Sequence, residues 1–198
     1  MTATVPPDTD TRISRLGVVD EDNPPPGAKS LLDHCQKQYG RVPNWIKALA
    51  VHPGLVKRFS GYYEALFNPG QGRLPMAERE LIATVVSNKN GCTYCTLHHT
   101  GGLAGETGDH IRAQRIAHNY REVDLQPRER AIADFSMKVT NDPAGMEDGD
   151  FGLLREVGLD TEEIAEVLEI AAFFSFSNRL ATPLAILPDD ELFEFQRR

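Results

Sequence analysis

The sequence predicts an all-α protein, on three observations. Apolar residues recur at a helical period along most of the 198 residues. Proline or an Asp/Thr capping pattern opens several of these segments, and glycine or asparagine closes them. Neither a hairpin turn nor a run of alternating apolar and polar residues occurs.

Residues 1–27 are rich in turn and breaker residues and end in Pro24-Pro25-Pro26-Gly27. That composition suits an extended or partly disordered arm, or one laid across a neighbouring subunit. Residues 28–198 read as a single all-helical domain. Its first helix, 28–39, sets Leu31, Leu32 and Cys35 at helical spacing and stops at Gly40. A short helix starts at Val42-Pro43-Asn44-Trp45. Pro53-Gly54 opens a third, which runs to about Phe67 with Leu55, Phe59, Tyr62, Tyr63 and Leu66 on one side. After a loop at 68–72, Pro75 opens a helix over 76–89 whose buried stripe is Leu81, Ile82, Val85 and Val86. Asn88-Lys89-Asn90-Gly91 stops it, and a new helix begins at Cys92 or Thr93, thinned by Gly101, Gly102 and Gly105. Further helices are predicted over 109–120, 127–140, 149–157 and 162–178. The last is announced by the capping box Asp160-Thr161-Glu162-Glu163; Pro183 ends it, and a short acidic tail follows. Pro75 to Glu80 and Pro127 to Ala131 echo each other, each opening with proline and then Glu-Arg, but no cysteines follow the second copy.

A net charge of −8 repels phosphate backbones and speaks against a nucleic-acid partner. The longest apolar stretches fall far short of the roughly 20 residues that span a bilayer, and the first residues lack the basic and apolar regions of a secretory signal. Three cysteines are too few for a disulfide scaffold and suit a reducing compartment, so the expected location is cytoplasmic.

The chemistry concentrates in Gly91-Cys92-Thr93-Tyr94-Cys95-Thr96-Leu97-His98-His99. With Cys92 at a helix start, Cys95 returns to the same side within reach of it, and the first-turn N–H groups favour thiolate over thiol. His99, four residues past Cys95, shares its face and is able to take a thiol proton or pair with the thiolate. On one unbroken helix Glu80 would lie about 18 Å from Cys92. A reversal at Asn90-Gly91 instead sets Glu80 against a position near 101, within a turn of His99. Glu80, His99, Cys95 and Cys92 then form a polar line in which a carboxylate orients an imidazole and the imidazole activates a thiol.

Glu80, eleven residues, Cys92, two residues, Cys95, three residues, His99 resembles the E-x11-C-x2-C-x3-H motif of alkylhydroperoxidase D-like proteins, in the carboxymuconolactone decarboxylase superfamily. The chain length, the Pro-rich start and Phe-Phe-x-Phe-x-Asn-Arg at Phe173 to Arg179 are similar to the peroxidase-related branch. The resemblance implies an AhpD-like helical bundle, assembly as trimers or hexamers, and peroxide reduction by the cysteine pair without metal or organic cofactor. It implies Cys95 as peroxidatic thiol, Cys92 as resolving thiol, and Glu80 with His99 as the proton relay. The partners implied are hydrogen peroxide or a small organic hydroperoxide, and a dithiol electron donor. The chain departs from the best-studied members at Tyr94, where they carry histidine; His98 is an additional histidine, about 100° round the helix from His99.

Other readings of the same residues remain open. Cys92 and Cys95 also fit a pair of buried structural thiols, and with His98 and His99 they offer enough ligands for zinc. A decarboxylase of the superfamily's other branch and a non-enzymatic redox sensor are alternatives to the peroxidase. Thr96 after Cys95 fails the haem-attachment pattern. Cys35 reads as core, His34, His52, His110 and His118 as surface or satisfied histidines, and Trp45, Tyr62 and Tyr63 as packing. Phe173, Phe174 and Phe176 read as core or subunit interface, or as the approach to the thiols if the last helix packs there.

Overall fold

Most helix starts among the described residues are set by proline or by Asp or Glu caps, and left-handed glycines close α1, α4, α5 and α8. The computed structural model describes residues 12–194. Ten α-helices follow in order: α1 Pro26–Tyr39, α2 Asn44–Leu49, α3 Pro53–Leu66, α4 Met76–Lys89, α5 Thr93–Thr107, α6 His110–Asn119, α7 Pro127–Asn141, α8 Asp148–Glu156, α9 Thr161–Leu184 and α10 Glu191–Glu194. Single 3₁₀ turns occupy Tyr120–Glu122 and Pro143–Gly145. The fold is all-α, and no strand occurs among the described residues.

Helix α4 is the axis of the bundle. The sequence suggests a stripe of four buried residues on it, but all nine residues from Arg79 to Ser87 are buried. A helix enclosed on every side has no solvent face for a stripe to be measured against. Around it α5, α6, α7 and α9 close a core that includes Ile82, Val86, Ile132, Leu154, Val167, Ile170 and Phe174. A smaller layer, α1 to α3, encloses Leu32, Cys35, Ile46 and Val56.

Several boundaries differ from expectation. Helix α1 begins at Pro26, because proline's fixed φ suits the first turn. Helix α9 runs six residues beyond Asn178, and Pro183 lies inside its last turn. There proline removes a single hydrogen bond at the helix end, a small loss compared with an interior position. Asp189 is buried, accepts hydrogen bonds from Arg41, the Asn44 amide and the Tyr94 hydroxyl, and ties the chain end to α2 and α5. Within the expected arm, backbone bonds fasten Ile13 and Arg15 to Leu187 and Leu184, and Val19 to Lys47. Its residues 1–11 lie outside the described residues, as does the chain end at 195–198.

Arg79 is enclosed beside the α3–α4 loop. Its guanidinium donates to the carbonyls of Leu66, Gln71 and Leu74 and pairs with Glu166 at 3.0 Å. It therefore organises the loop that leads into α4. Arg79→Met strips these partners of their donor and is expected to lower unfolding free energy by about 3–5 kcal/mol, measured by urea denaturation.

Candidate active site

The reversal between α4 and α5 is a complete Schellman motif. Gly91 takes φ 67°, its N–H donates to the Asn88 carbonyl, and the Cys92 N–H donates to the Ser87 carbonyl. Cys92 is also the N-cap of α5, with its own carbonyl accepting from Thr96. One residue thus closes α4 and opens α5, which fixes its sulfur at the helix start.

The antiparallel pairing that results sets Glu80 beside His99, with Oε2 2.7 Å from Nδ1. Both residues are buried, at 8% and 3% exposure. Gly102 makes the approach possible: a Cβ there would stand 2.4 Å from the Glu80 carboxyl carbon. In the sequence Gly102 reads only as a weak spot in a helix. The His99 ring is held edge-on against Phe174, centroids 4.5 Å apart.

Burial governs the charges of this pair. It pushes the Glu80 carboxyl up to about 8, with nearby His98 opposing and Glu106 adding to the shift. Burial likewise draws the His99 imidazole down to about 3 and that of His98 to about 4. At neutral pH a carboxylic acid therefore faces a neutral imidazole. Nδ1 of His99 is engaged by Glu80, which leaves Nε2 for the cavity that the ring lines.

The two sulfurs lie 2.9 Å apart, both thiols free. Their mutual hydrogen bond is the main reason the Cys92 thiol falls to about 6, helped by the Cys95 amide and by Thr182 and Asn178 on α9, against the penalty of burial. The same bond, together with burial, pushes Cys95 well above the ordinary thiol range. The pair takes its first negative charge on Cys92.

Cys95, His98 and His99 line one small cavity of about 40 Å³, walled by Trp45, Tyr63 and Phe174 among others. A water needs about 10–15 Å³, so the cavity has room for a molecule of that size. A second cavity of about 430 Å³ shares Trp45, Tyr63, Tyr94 and His98 with it, and Cys35 lies in its wall. The Cys95 sulfur shares a hydrogen bond with that of Cys92 and lies 3.9 Å from Ser177 Oγ. Among the described residues no direct hydrogen bond joins His99 to either sulfur, so a proton passing between them crosses the cavity.

All four singled-out residues, Glu80, Cys92, Cys95 and His99, meet here. His98 joins them in the cavity wall although it lies on a different part of the helix circumference; its Nε2 lies 3.2 Å from the Tyr63 hydroxyl. Trp45 and Tyr63, read from the sequence as packing, are cavity wall, and so is Phe174. Phe173 is core, while Phe176 is 47% exposed. Tyr94 is turned to Asp189 and serves as an anchor. Sequence reasoning missed Ser177 and gave Asn178, the Asn of the Phe173 to Arg179 segment, no place at the site; their signal is two polar residues on the inner face of α9, where Ile170, Ala171 and Phe174 predict an apolar one. No group of three or more His, Cys, Asp or Glu side chains is placed to share a metal ion among the described residues, and no described helix is long and apolar enough to cross a membrane.

The carboxymuconolactone decarboxylase family profile matches residues 53–119. A peroxidase-related protein from Ralstonia eutropha with an alkylhydroperoxidase AhpD core is 34% identical, with 94% of this chain and 97% of that chain covered and a TM-score of 0.87. A peroxidase-related protein from Silicibacter sp. is 30% identical over the same shares, with a TM-score of 0.85. The debrominase Bmp8 has the same fold, with a TM-score of 0.73, at 19% identity over 96% of this chain and 98% of that one. No curated protein sequence matches at a significant level.

Gly102→Ala is expected to displace the Glu80 carboxyl from His99. The measurement is ring ¹⁵N chemical shifts: in the unsubstituted protein His99 and His98 stay neutral between about pH 5 and 8, whereas the variant shows His99 gaining a proton within that range.

Proposed function

This chain belongs to the carboxymuconolactone decarboxylase superfamily as an alkylhydroperoxidase D-like protein, and from that membership we propose that it is a thiol peroxidase acting on hydrogen peroxide or small organic hydroperoxides. The observation that carries this reading is a small cavity lined by both Cys95 and His99, with Cys92 behind the first at 2.9 Å and Glu80 behind the second at 2.7 Å. The size of the inner cavity supports a peroxide head group as its occupant, and the outer cavity offers room for an organic remainder. The relatives called peroxidase-related point the same way.

In the proposed cycle the Cys92 thiolate takes the Cys95 proton across their contact, which delivers the charge to the sulfur facing the cavity. Cys95 attacks the peroxide oxygen; an S–O bond forms, the O–O bond breaks, and the alkoxide or hydroxide leaves. His99 Nε2–H protonates it while Glu80 passes its own proton to Nδ1, so the departing product is an alcohol or water and Glu80 is left as carboxylate. The carboxylate–imidazole pair then accepts the Cys92 proton, and Cys92 attacks the Cys95 sulfenic acid. A disulfide forms, and the hydroxide that leaves takes the proton back as water. A dithiol donor reduces the disulfide by exchange. Free thiols suit a cytoplasmic location, and exposed Tyr62, Leu168 and Phe176 on α3 and α9 support a homo-oligomer.

The cycle needs Cys92 ionised and Glu80 protonated. Peroxide turnover with dithiothreitol as donor should therefore rise as pH passes about 6 and fall as it passes about 8. Cys95→Ser is expected to abolish turnover, and Glu80→Gln to cost about 10²-fold or more and to remove the alkaline limb, since Gln has no proton to give. A Cys95→Ser variant with turnover equal to the unsubstituted protein overturns the reading.

Cys92→Ser removes both the base and the resolving thiol of Cys95; treated with peroxide at about pH 9–10, where a thiol ionises without that base, it should leave a trappable sulfenic acid on Cys95, detected by mass spectrometry after dimedone treatment. Label appearing on no cysteine would remove Cys95 from the peroxidatic role.

A further inference from the structure

The inner cavity shares a wall with the outer one. Trp45, Tyr63, Tyr94 and His98 line both, so these side chains separate a space of about 40 Å³ beside Cys95 from one of about 430 Å³. The outer space falls within the roughly 300–1,000 Å³ of pockets that take small organic ligands, and the inner one does not. Leu31, Tyr39, Pro43, Ile46 and Leu192 give the outer cavity an apolar and aromatic surface. Arg41, the one Arg or Lys among its lining residues, is engaged by Asp189 and Glu191, and Glu64 stands in the same wall. A ligand carboxylate finds no free cation there, so the surface suits an uncharged carbon skeleton.

The shared residues are not held alike. Tyr94 is anchored through its hydroxyl to Asp189, and Trp45 packs against Phe59 with centroids 5.3 Å apart. Tyr63 and His98 come from α3 and α5 and meet tip to tip, with 3.2 Å between the hydroxyl and Nε2. Behind them Tyr63 stacks on Phe67 at 4.9 Å, and His98 lies edge-on to His99 at 4.9 Å. Two joined rings thus stand directly beside the imidazole that serves Cys95 in the proposed cycle. Bulk in such a wall limits how much of a ligand reaches the reacting atom. We propose that Tyr63 and His98 are specificity-determining residues: they hold the uncharged carbon skeleton of an organic hydroperoxide in the outer cavity, so that only its O–OH end extends past them to Cys95. The inference deepens the peroxidase reading and rests on it for the substrate, but the first arm of its test needs no turnover.

Size selection is read first without peroxide. Reduced protein is treated at about pH 9 with iodoacetamide or its N-benzyl derivative, which share one reactive group and differ in bulk. Alkylation of Cys95 is timed by mass spectrometry. Both reagents consume the same thiolate, so the ratio of their rates is free of any change in its population. Tyr63→Ala is expected to raise the benzyl-to-parent ratio about tenfold, the low end of what pocket fit discriminates. Tyr63→Phe keeps the ring and should change the ratio by less than about twofold. In turnover with dithiothreitol, kcat/KM for cumene hydroperoxide relative to hydrogen peroxide should move in the same order and by similar factors. An unchanged ratio in Tyr63→Ala by either measurement, or no label on its Cys95, overturns the proposal. A Tyr63→Phe shift as large as that of Tyr63→Ala does so too, because bulk is then not the cause. If Tyr63→Ala does not fold, His98→Ala decides by the same ratios. Alkylation ratios that shift in a protein without peroxide turnover would defeat the peroxidase reading and leave size selection at Cys95 standing.

Discussion

The contact between Glu80 and His99 is the constraint around which the rest of the site is arranged. Two groups that prefer water are buried together at 2.7 Å, and burial settles them as acid and neutral base in place of an ion pair. Separated charges in so dry a setting would cost several kcal/mol more than a neutral hydrogen bond. Everything local serves the contact: the Schellman reversal that folds α5 back along α4, the missing side chain at Gly102, and the Phe174 ring against His99.

The thiols are arranged on a different principle. Cys92 closes one helix and caps the next, so its sulfur is fixed by backbone geometry, while Cys95 sits one turn on with its side chain toward the cavity. Because their hydrogen bond stabilises one negative charge but not two, the pair divides into an acidic and a resistant thiol. Two further buried polar clusters hold the frame: Arg79 gathers the loop before α4, and Asp189 gathers Arg41, Asn44 and Tyr94. Tyr94 therefore occupies the place before Cys95 as an anchor, and the imidazoles that line the cavity are those of His98 and His99.

Much of the fold was legible in the sequence, because its signals are short-range. Pro53, Pro75 and Pro127 mark helix starts, Gly40 and Gly91 mark stops, and the 3.6-residue period of apolar side chains runs between them. The errors lie where a local rule met a tertiary condition. Pro183 stops a helix only if the helix would otherwise continue, and here it falls in the last turn. The stripe on α4 vanished because neighbours enclose the helix on all sides.

Local residue order is enough to dictate the helices, the break at residues 90 and 91, and the spacing that sets an acid, an imidazole and two sulfurs at fixed offsets on two short segments. What surrounds them is set by long-range packing. Asn178 lies 88 residues from Asn90 in the chain, and Asp189 lies 95 from Tyr94; no local propensity relates such partners. Which side chains share a cavity, and which protonation states burial enforces, depend on the packing of helices from opposite ends of the chain. Solvent exclusion is a property of the assembled bundle, and no segment possesses it alone.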